Sequence, residues 1–360
     1  MESCVLMIWM ETRLIEMEEK RFVELDVLRG IAAMIVLFFH FTLFREEAKY
    51  GFQLGITGVD LFFMISGFVI LMSLEKSKNA NLFFLLRCIR LYPIYWIIAT
   101  FTFLLFFGLN LFNGEIPYSE IPFKDYCVNL SMFQYYFNVP NIDGSYWTLI
   151  IEMLFYMSIY VLFRLKLLSK IIEIGLVFGA IMACYIFAIR HFNFPDYTRF
   201  YPFIYHFPMF YIGIIFYKMI ELKQVPYYYY LLIVGSICIQ LYLFEYGRAF
   251  HFISIIYYAI ALVFFTGIFL LFSKNLLSGI VTKSTRFLGS ISYPLYLIHQ
   301  PLCYGIIIPY FTDVLKINFW ISSLLIALPI TLILATFFTF KVDMPIRRFL
   351  KQKVQLLLAK

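Results

Sequence analysis

The stretch Leu25-Asp-Val-Leu-Arg-Gly-Ile-Ala-Ala-Met-Ile-Val-Leu-Phe-Phe-His40 decides the fold class. It is an apolar run with Arg29 near one end and His40 deep inside, and it overlaps a stretch over 27–44 that is long enough to cross about 30 Å of hydrocarbon as a helix. Nine further runs of the same kind follow at 55–74, 91–112, 147–164, 171–189, 201–219, 228–244, 252–272, 287–310 and 320–340. A membrane β-barrel would alternate apolar and polar residues in segments of about ten, whereas these runs last roughly 17 to 24 residues. The expected fold is therefore all-α: a polytopic membrane protein with about ten transmembrane helices and both termini cytoplasmic.

Composition supports this. The 360 residues are 62% hydrophobic and 14% charged, against about half and about a quarter in a soluble chain. A soluble domain, a disordered chain and a secreted disulfide scaffold are excluded. The 21% aromatic content fits a lipid-facing body with interfacial rings. Of the Lys and Arg residues behind the net charge of +7, 21 fall on segments that would be cytoplasmic and seven on the opposite face. That asymmetry orients the chain. Because the charge is spread over every inner loop with no single basic patch, no nucleic-acid partner is expected. Cys4, Cys88, Cys127, Cys184, Cys238 and Cys303 lie mostly in or beside apolar runs. There is no CxxC and no His pair at ligand spacing, so neither a disulfide nor a metal is expected.

Three parts are expected: a cytoplasmic lead-in over 1–24, a membrane domain over 25–348 and a basic cytoplasmic tail over 349–360. Glu11, Glu16, Glu18 and Glu19 occupy the place of a basic signal-peptide n-region, so the lead-in does not resemble a cleaved signal. Most loops are short. The exception, about 113–146, is an expected external segment rich in Asn, Pro and aromatics, and long ordered loops often carry function.

An ionisable group inside a span costs on the order of 3 kcal/mol, so each one needs a partner or a purpose. Eleven residues at about 100° each place Arg29 and His40 on one face of the first helix, about 16 Å apart along its axis. That spacing puts His40 near mid-membrane, and Asp26 can hold Arg29 as an i,i+3 pair. The second span, Gly58-Val-Asp-Leu-Phe-Phe-Met-Ile-Ser-Gly67, places Asp60 in its outer third and Ser66-Gly67 near the middle, where small residues serve either helix packing or a cavity. The third begins Arg87-Cys-Ile-Arg90-Leu-Tyr92-Pro93. Its two arginines satisfy the positive-inside rule, and their forks on one face equally suit phosphates. Glu152 enters the fourth span about 7 to 10 Å below its surface with Tyr156 one turn further. His299 in the ninth, about 18 Å from its start, shares the depth of His40. It is either a second acid or base or a structural hydrogen bonder. His191, His206 and His251 carry less information.

Taken in order, Arg29-X10-His40, Gly58 to Gly67, Arg87-X-X-Arg90 with Tyr92-Pro93, Trp147 to Glu152 with Phe155-Tyr156, and Ser292 to His299 resemble the acyltransferase 3 family of integral membrane O-acyltransferases, from about Leu25 to Arg348. The resemblance implies transfer of an acyl group, usually acetyl, from cytoplasmic acyl-CoA to a hydroxyl of a cell-surface carbohydrate or its lipid-linked precursor. It also implies His40 as the catalytic histidine with Arg29 as its motif partner. Arg87 and Arg90 are then the donor-binding pair, with Tyr92 and Ser66 beside them. An acceptor hydroxyl has a pKa far above 7, so His40 is expected to remove its proton. Glu152 or Asp60 would orient the imidazole or the acceptor. An acyl-histidine intermediate is the competing route.

Acyl-CoA is expected as donor substrate with no metal. The other partners are the carbohydrate acceptor, the lipid bilayer, and either a second copy or a separate extracytoplasmic protein, since the hydrolase-like domain many relatives carry is not found here. The expected location is the cell membrane, multi-pass, in a bacterial inner membrane. The alternative from another class is a transporter of a small anionic metabolite or glycan precursor, but no pair of related halves with interrupted helices is visible.

Overall fold

The computed structural model describes residues 22–43, 45–48, 51–75, 77, 79–113 and 121–358. Most of the expected lead-in, 1–24, and part of the long loop lie outside them. The described chain is helical: α1 Val23–Thr42, α2 Gly58–Glu75, α3 Ala80–Asn113, the short α4 Phe123–Asn129, α5 Trp147–Arg164, α6 Ile171–Phe192, α7 Phe207–Glu221, α8 Tyr227–Tyr242, α9 Ile255–Ser273 and α10 Lys283–His299. A π-helical stretch, Gln300–Ile307, continues α10. The last apolar run forms one long rod, Ile321–Leu357, in which α11 Leu328–Phe337 passes through a π-helical turn, Phe338–Asp343, into α12 Met344–Leu358. The residues expected as a separate basic tail therefore continue this rod as far as they are described.

Among the described residues, eight helical segments are long and apolar enough to cross a membrane. Both remaining expected runs are helical too. One is α8, with 16 residues; the other is α10, whose 17 α-helical residues run on as the π-helix. Leu176, Val177 and Ile181 on α6 and Ile256, Ile260, Val263 and Phe264 on α9 are exposed. Apolar faces of this extent are not left to water in a soluble monomer. The protein is an all-α, multi-pass membrane protein.

Two helix crossings set the geometry. A Cβ on Gly30 of α1 would come within 2.5 Å of the Gly289 backbone nitrogen on α10, and one on Gly289 within 2.4 Å of the Asp26 carbonyl oxygen. Gly67 of α2 and Gly213 of α7 repeat the arrangement, each with room for a Cβ only 2.0 Å from the opposing backbone oxygen. Such small residues let backbones meet where lipid supplies no hydrophobic drive between helices. Gly67 therefore serves packing, while its neighbour Ser66 faces another helix.

The segment after α3 folds back on that helix. Asn129 is fully buried, its amide donating to the Asp125 and Pro140 carbonyls while its Oδ1 accepts from the Ile142 amide. Three α3 side chains, Tyr95, Trp96 and Tyr92, donate to the successive carbonyls of Asn129, Leu130 and Ser131 at 2.6, 2.8 and 2.9 Å. The Asn129 carbonyl also accepts from the Met132 amide at 3.0 Å, in the turn that ends α4.

Candidate active site

His40 lies in the last turn of α1, with Thr42 ending the helix. It therefore stands nearer the end of its span than the mid-membrane position expected from Arg29. His299 is the last α-helical residue of α10, and its side chain is fully buried. The expectation that the two share a depth is realised as contact: His299 Nε2 lies 3.0 Å from His40 Nδ1, with ring centroids 4.8 Å apart.

Their partners assign the protons. His299 Nδ1 is 2.7 Å from the Tyr296 carbonyl, which can only accept, so this nitrogen carries the hydrogen and Nε2 keeps its lone pair. His40 Nδ1 is 2.9 Å from the Val36 carbonyl and shares its hydrogen between that oxygen and His299 Nε2. The second nitrogen of His40, Nε2, makes no hydrogen bond to a described residue and presents a lone pair. Tyr296 is held in turn by the start of α5. Its hydroxyl donates to the Ser145 carbonyl at 2.9 Å and meets the Thr148 hydroxyl at 2.8 Å. Just before α5, buried Asp143 accepts from the Ser145 amide at 2.7 Å. Burial pushes the Asp143 carboxyl up to about 7, against the lowering pull of that amide.

A second cluster gathers on the other side of the Gly30 crossing. Arg29 binds Asp26 at 3.1 Å and interacts electrostatically with Arg90, Glu152 and Tyr156. Arg87 donates to the Ser73 hydroxyl and lies beside the Phe83 ring. It too interacts with Glu152 and Tyr156. Glu152 accepts through Oε1 from Ser66 at 3.2 Å and from Tyr156. Thus Arg29, Arg87, Arg90, Glu152 and Ser66 come together. Glu152 makes no hydrogen bond to His40; its helix turns that face toward the arginines, and His299 lies beside His40.

Asp60 and Tyr92 lie elsewhere. Buried Asp60 accepts from Tyr258 at 3.1 Å, and that hydroxyl accepts from Gln240 at 3.0 Å. With His206, Trp147 and Arg248 they line a cavity of about 20 Å3, room for about one water. Arg248, between the apolar runs 228–244 and 252–272, stacks 4.6 Å from the Trp147 ring and interacts electrostatically with His40. Tyr92 turns its hydroxyl to Ser131, off the arginine face. Sequence reasoning also passed over Asp343 and Arg347, which pair at 2.5 Å beside Arg90. Their i,i+4 spacing was a visible signal. Among the described residues the five cysteines are free and no group of His, Cys, Asp and Glu is arranged to hold a metal.

Fold and site together define a multi-pass membrane protein with a paired histidine and an arginine cluster joined through one helix. The chain belongs to the acyltransferase family described as "Acyltransferase domain", which it matches over residues 22–340. It is also similar to "Putative acetyltransferase ORF330" of Acidianus two-tailed virus, with 29% identity over 154 residues, 42% of this chain and 44% of that protein. The match thus spans less than half of that relative. No solved structure matches the chain.

Proposed function

We propose that the protein moves an acyl group, acetyl in the first instance, from acyl-CoA to a hydroxyl of a cell-surface carbohydrate or its lipid-linked precursor, with His40 as general base. The observation that carries this reading is the 3.0 Å contact between His40 Nδ1 and His299 Nε2, which leaves His40 Nε2 as a free lone pair. Family membership supports the acyl chemistry.

The donor enters from the arginine side. Arg87 and Arg90 supply guanidinium forks suited to its phosphates, and the thioester arm runs along α1 over the roughly 16 Å that eleven residues span, toward His40. His40 Nε2 takes the proton of the acceptor hydroxyl as its oxygen attacks the thioester carbonyl. The imidazolium then keeps its Nδ1 hydrogen on the Val36 carbonyl and His299. When the carbon–sulfur bond breaks, the departing sulfur takes the proton from Nε2, so CoA leaves as the thiol and the acceptor leaves as the ester. The arginines face the cytoplasm in this scheme, with both termini inside.

A general base contributes about 10²- to 10⁴-fold. His40→Ala is therefore expected to lower acceptor-dependent CoA release from acetyl-CoA by at least about 100-fold, with the detergent melt and its shift by acetyl-CoA unchanged. Retained turnover in that variant would remove His40 from the mechanism.

A further inference from the structure

Arg90 sits among three other guanidinium groups, those of Arg29, Arg87 and Arg347, and donates no hydrogen bond to any described residue. The carboxylates around this group are Asp26, Glu152 and Asp343. Among the described residues, four cations face three anions here in the helix interior, where an uncompensated charge is expensive. Glu152 already accepts from Ser66 and Tyr156 on one oxygen. Arg29 is held by Asp26.

The fourth arginine comes from the far end of the chain. Arg347, on α12, is half-buried and pairs through Nη2 with Asp343, whose side chain is 2% exposed. Arg347 Nε and Asp343 Oδ1 are both buried without a hydrogen-bond partner. Buried polar atoms without partners are few in native structures, and each calls for a reason. Tyr293 interacts electrostatically with Arg90, Asp343 and Arg347, and its hydroxyl donates to the Leu91 carbonyl at 3.1 Å, so α3, α10 and α12 meet at one place.

From this juxtaposition we infer that Arg347, held by Asp343, is a further donor-contact residue, and that it works with Arg90 to bind a phosphate group of the acyl donor's nucleotide portion. The inference rests on the donor reading above and extends it to the last helix. A phosphate supplies what the cluster lacks: negative charge against the excess cation and acceptor oxygens for the open Arg90 fork and Arg347 Nε. Asp343 holds the guanidinium through Nη2 and leaves Nε without a partner.

The test compares acetyl-CoA with acetyl-pantetheine, which carries the same thioester without the nucleotide phosphates. Arg347→Ala is expected to raise KM for acetyl-CoA about tenfold or more, as loss of one charge-assisted hydrogen bond predicts, and to leave kcat and the KM for acetyl-pantetheine unchanged. An equal loss on both donors, or none on either, overturns the inference while leaving the donor reading intact. Wild-type protein that treats the two donors alike defeats the donor reading itself, and the inference with it. If the alanine protein does not fold, Arg347→Lys decides, because it keeps the charge and removes Nε. A raised KM for acetyl-CoA alone supports the contact, and an unchanged one overturns it.

Discussion

A neutral imidazole carries one hydrogen and one lone pair, so two histidines in contact must settle which of four nitrogens holds which. Here the settlement comes from backbone carbonyls. Tyr296 fixes His299, and Val36 together with His299 fixes His40, so the lone pair left without a described partner falls on His40 Nε2. When His40 is protonated, its Nδ1 bond to His299 becomes charge-assisted, worth about 1.5–3 kcal/mol. His299→Ala is therefore expected to lower kcat roughly 10- to 150-fold, with KM for the donor unchanged and the melt lowered by the cavity it leaves. Recovery of rate by added imidazole is the companion measurement. A variant with full kcat would make His299 merely a packed residue. That His40 and His299 share a depth was legible from helix rise. That they touch was not, because rise says nothing about which faces two helices turn to each other.

At the scale of elements, the crossing of α1 and α10 is what brings the histidines together. Gly30 and Gly289 approach so closely that any Cβ meets backbone, which cannot move aside as a side chain can. Gly30→Ala is expected to push the helices apart at a cost of about 1–3 kcal/mol, seen as a lower melting temperature. Turnover should fall with it, because the shift misplaces His299 against His40. Gly267→Ala on α9, where nothing lies within 4 Å of the added atom, serves as the control; it is expected to be neutral or to stabilise by up to about 1 kcal/mol through helix propensity. Equal behaviour of the two would deny the crossing its role. The same logic explains Glu152 and Tyr92. The i,i+4 pairing of Glu152 with Tyr156 was visible in the sequence, but the rotation of α5 decides that both look at the arginines. Tyr92 follows the folded-back segment after α3, whose carbonyls at 129–131 take three aromatic side chains of that helix.

For the whole molecule, the proposed orientation places the arginine cluster inside and the cavity beside Asp60 and Arg248 outside. In a background without other cysteines, Lys170→Cys and Lys274→Cys are expected to react with a membrane-impermeant thiol reagent only after permeabilisation. Asp196→Cys and Glu245→Cys should react in intact cells. The opposite pattern would invert the topology and with it the side from which the donor enters. Three to one in basic residues is the sequence's ground for this orientation, and the long rod carrying Asp343 and Arg347 places its basic end on the same side as Arg87 and Arg90.

Sequence alone determined that the chain is helical and membrane-spanning, and roughly where each span lies, because the length of an apolar run is a local property measured against bilayer thickness. It also marked Arg29, His40, Arg87, Arg90, Glu152 and His299 as the groups needing a purpose, since charge in hydrocarbon is costly wherever the helix points. Tertiary structure alone decided the partners: His299 for His40, the arginines for Glu152, Tyr258 for Asp60, and Arg347 beside Arg90. Rotation and tilt of a membrane helix are set by packing against its neighbours. At Gly30 against Gly289 and Gly67 against Gly213, that packing depends on two distant segments at once, so neither segment encodes it alone.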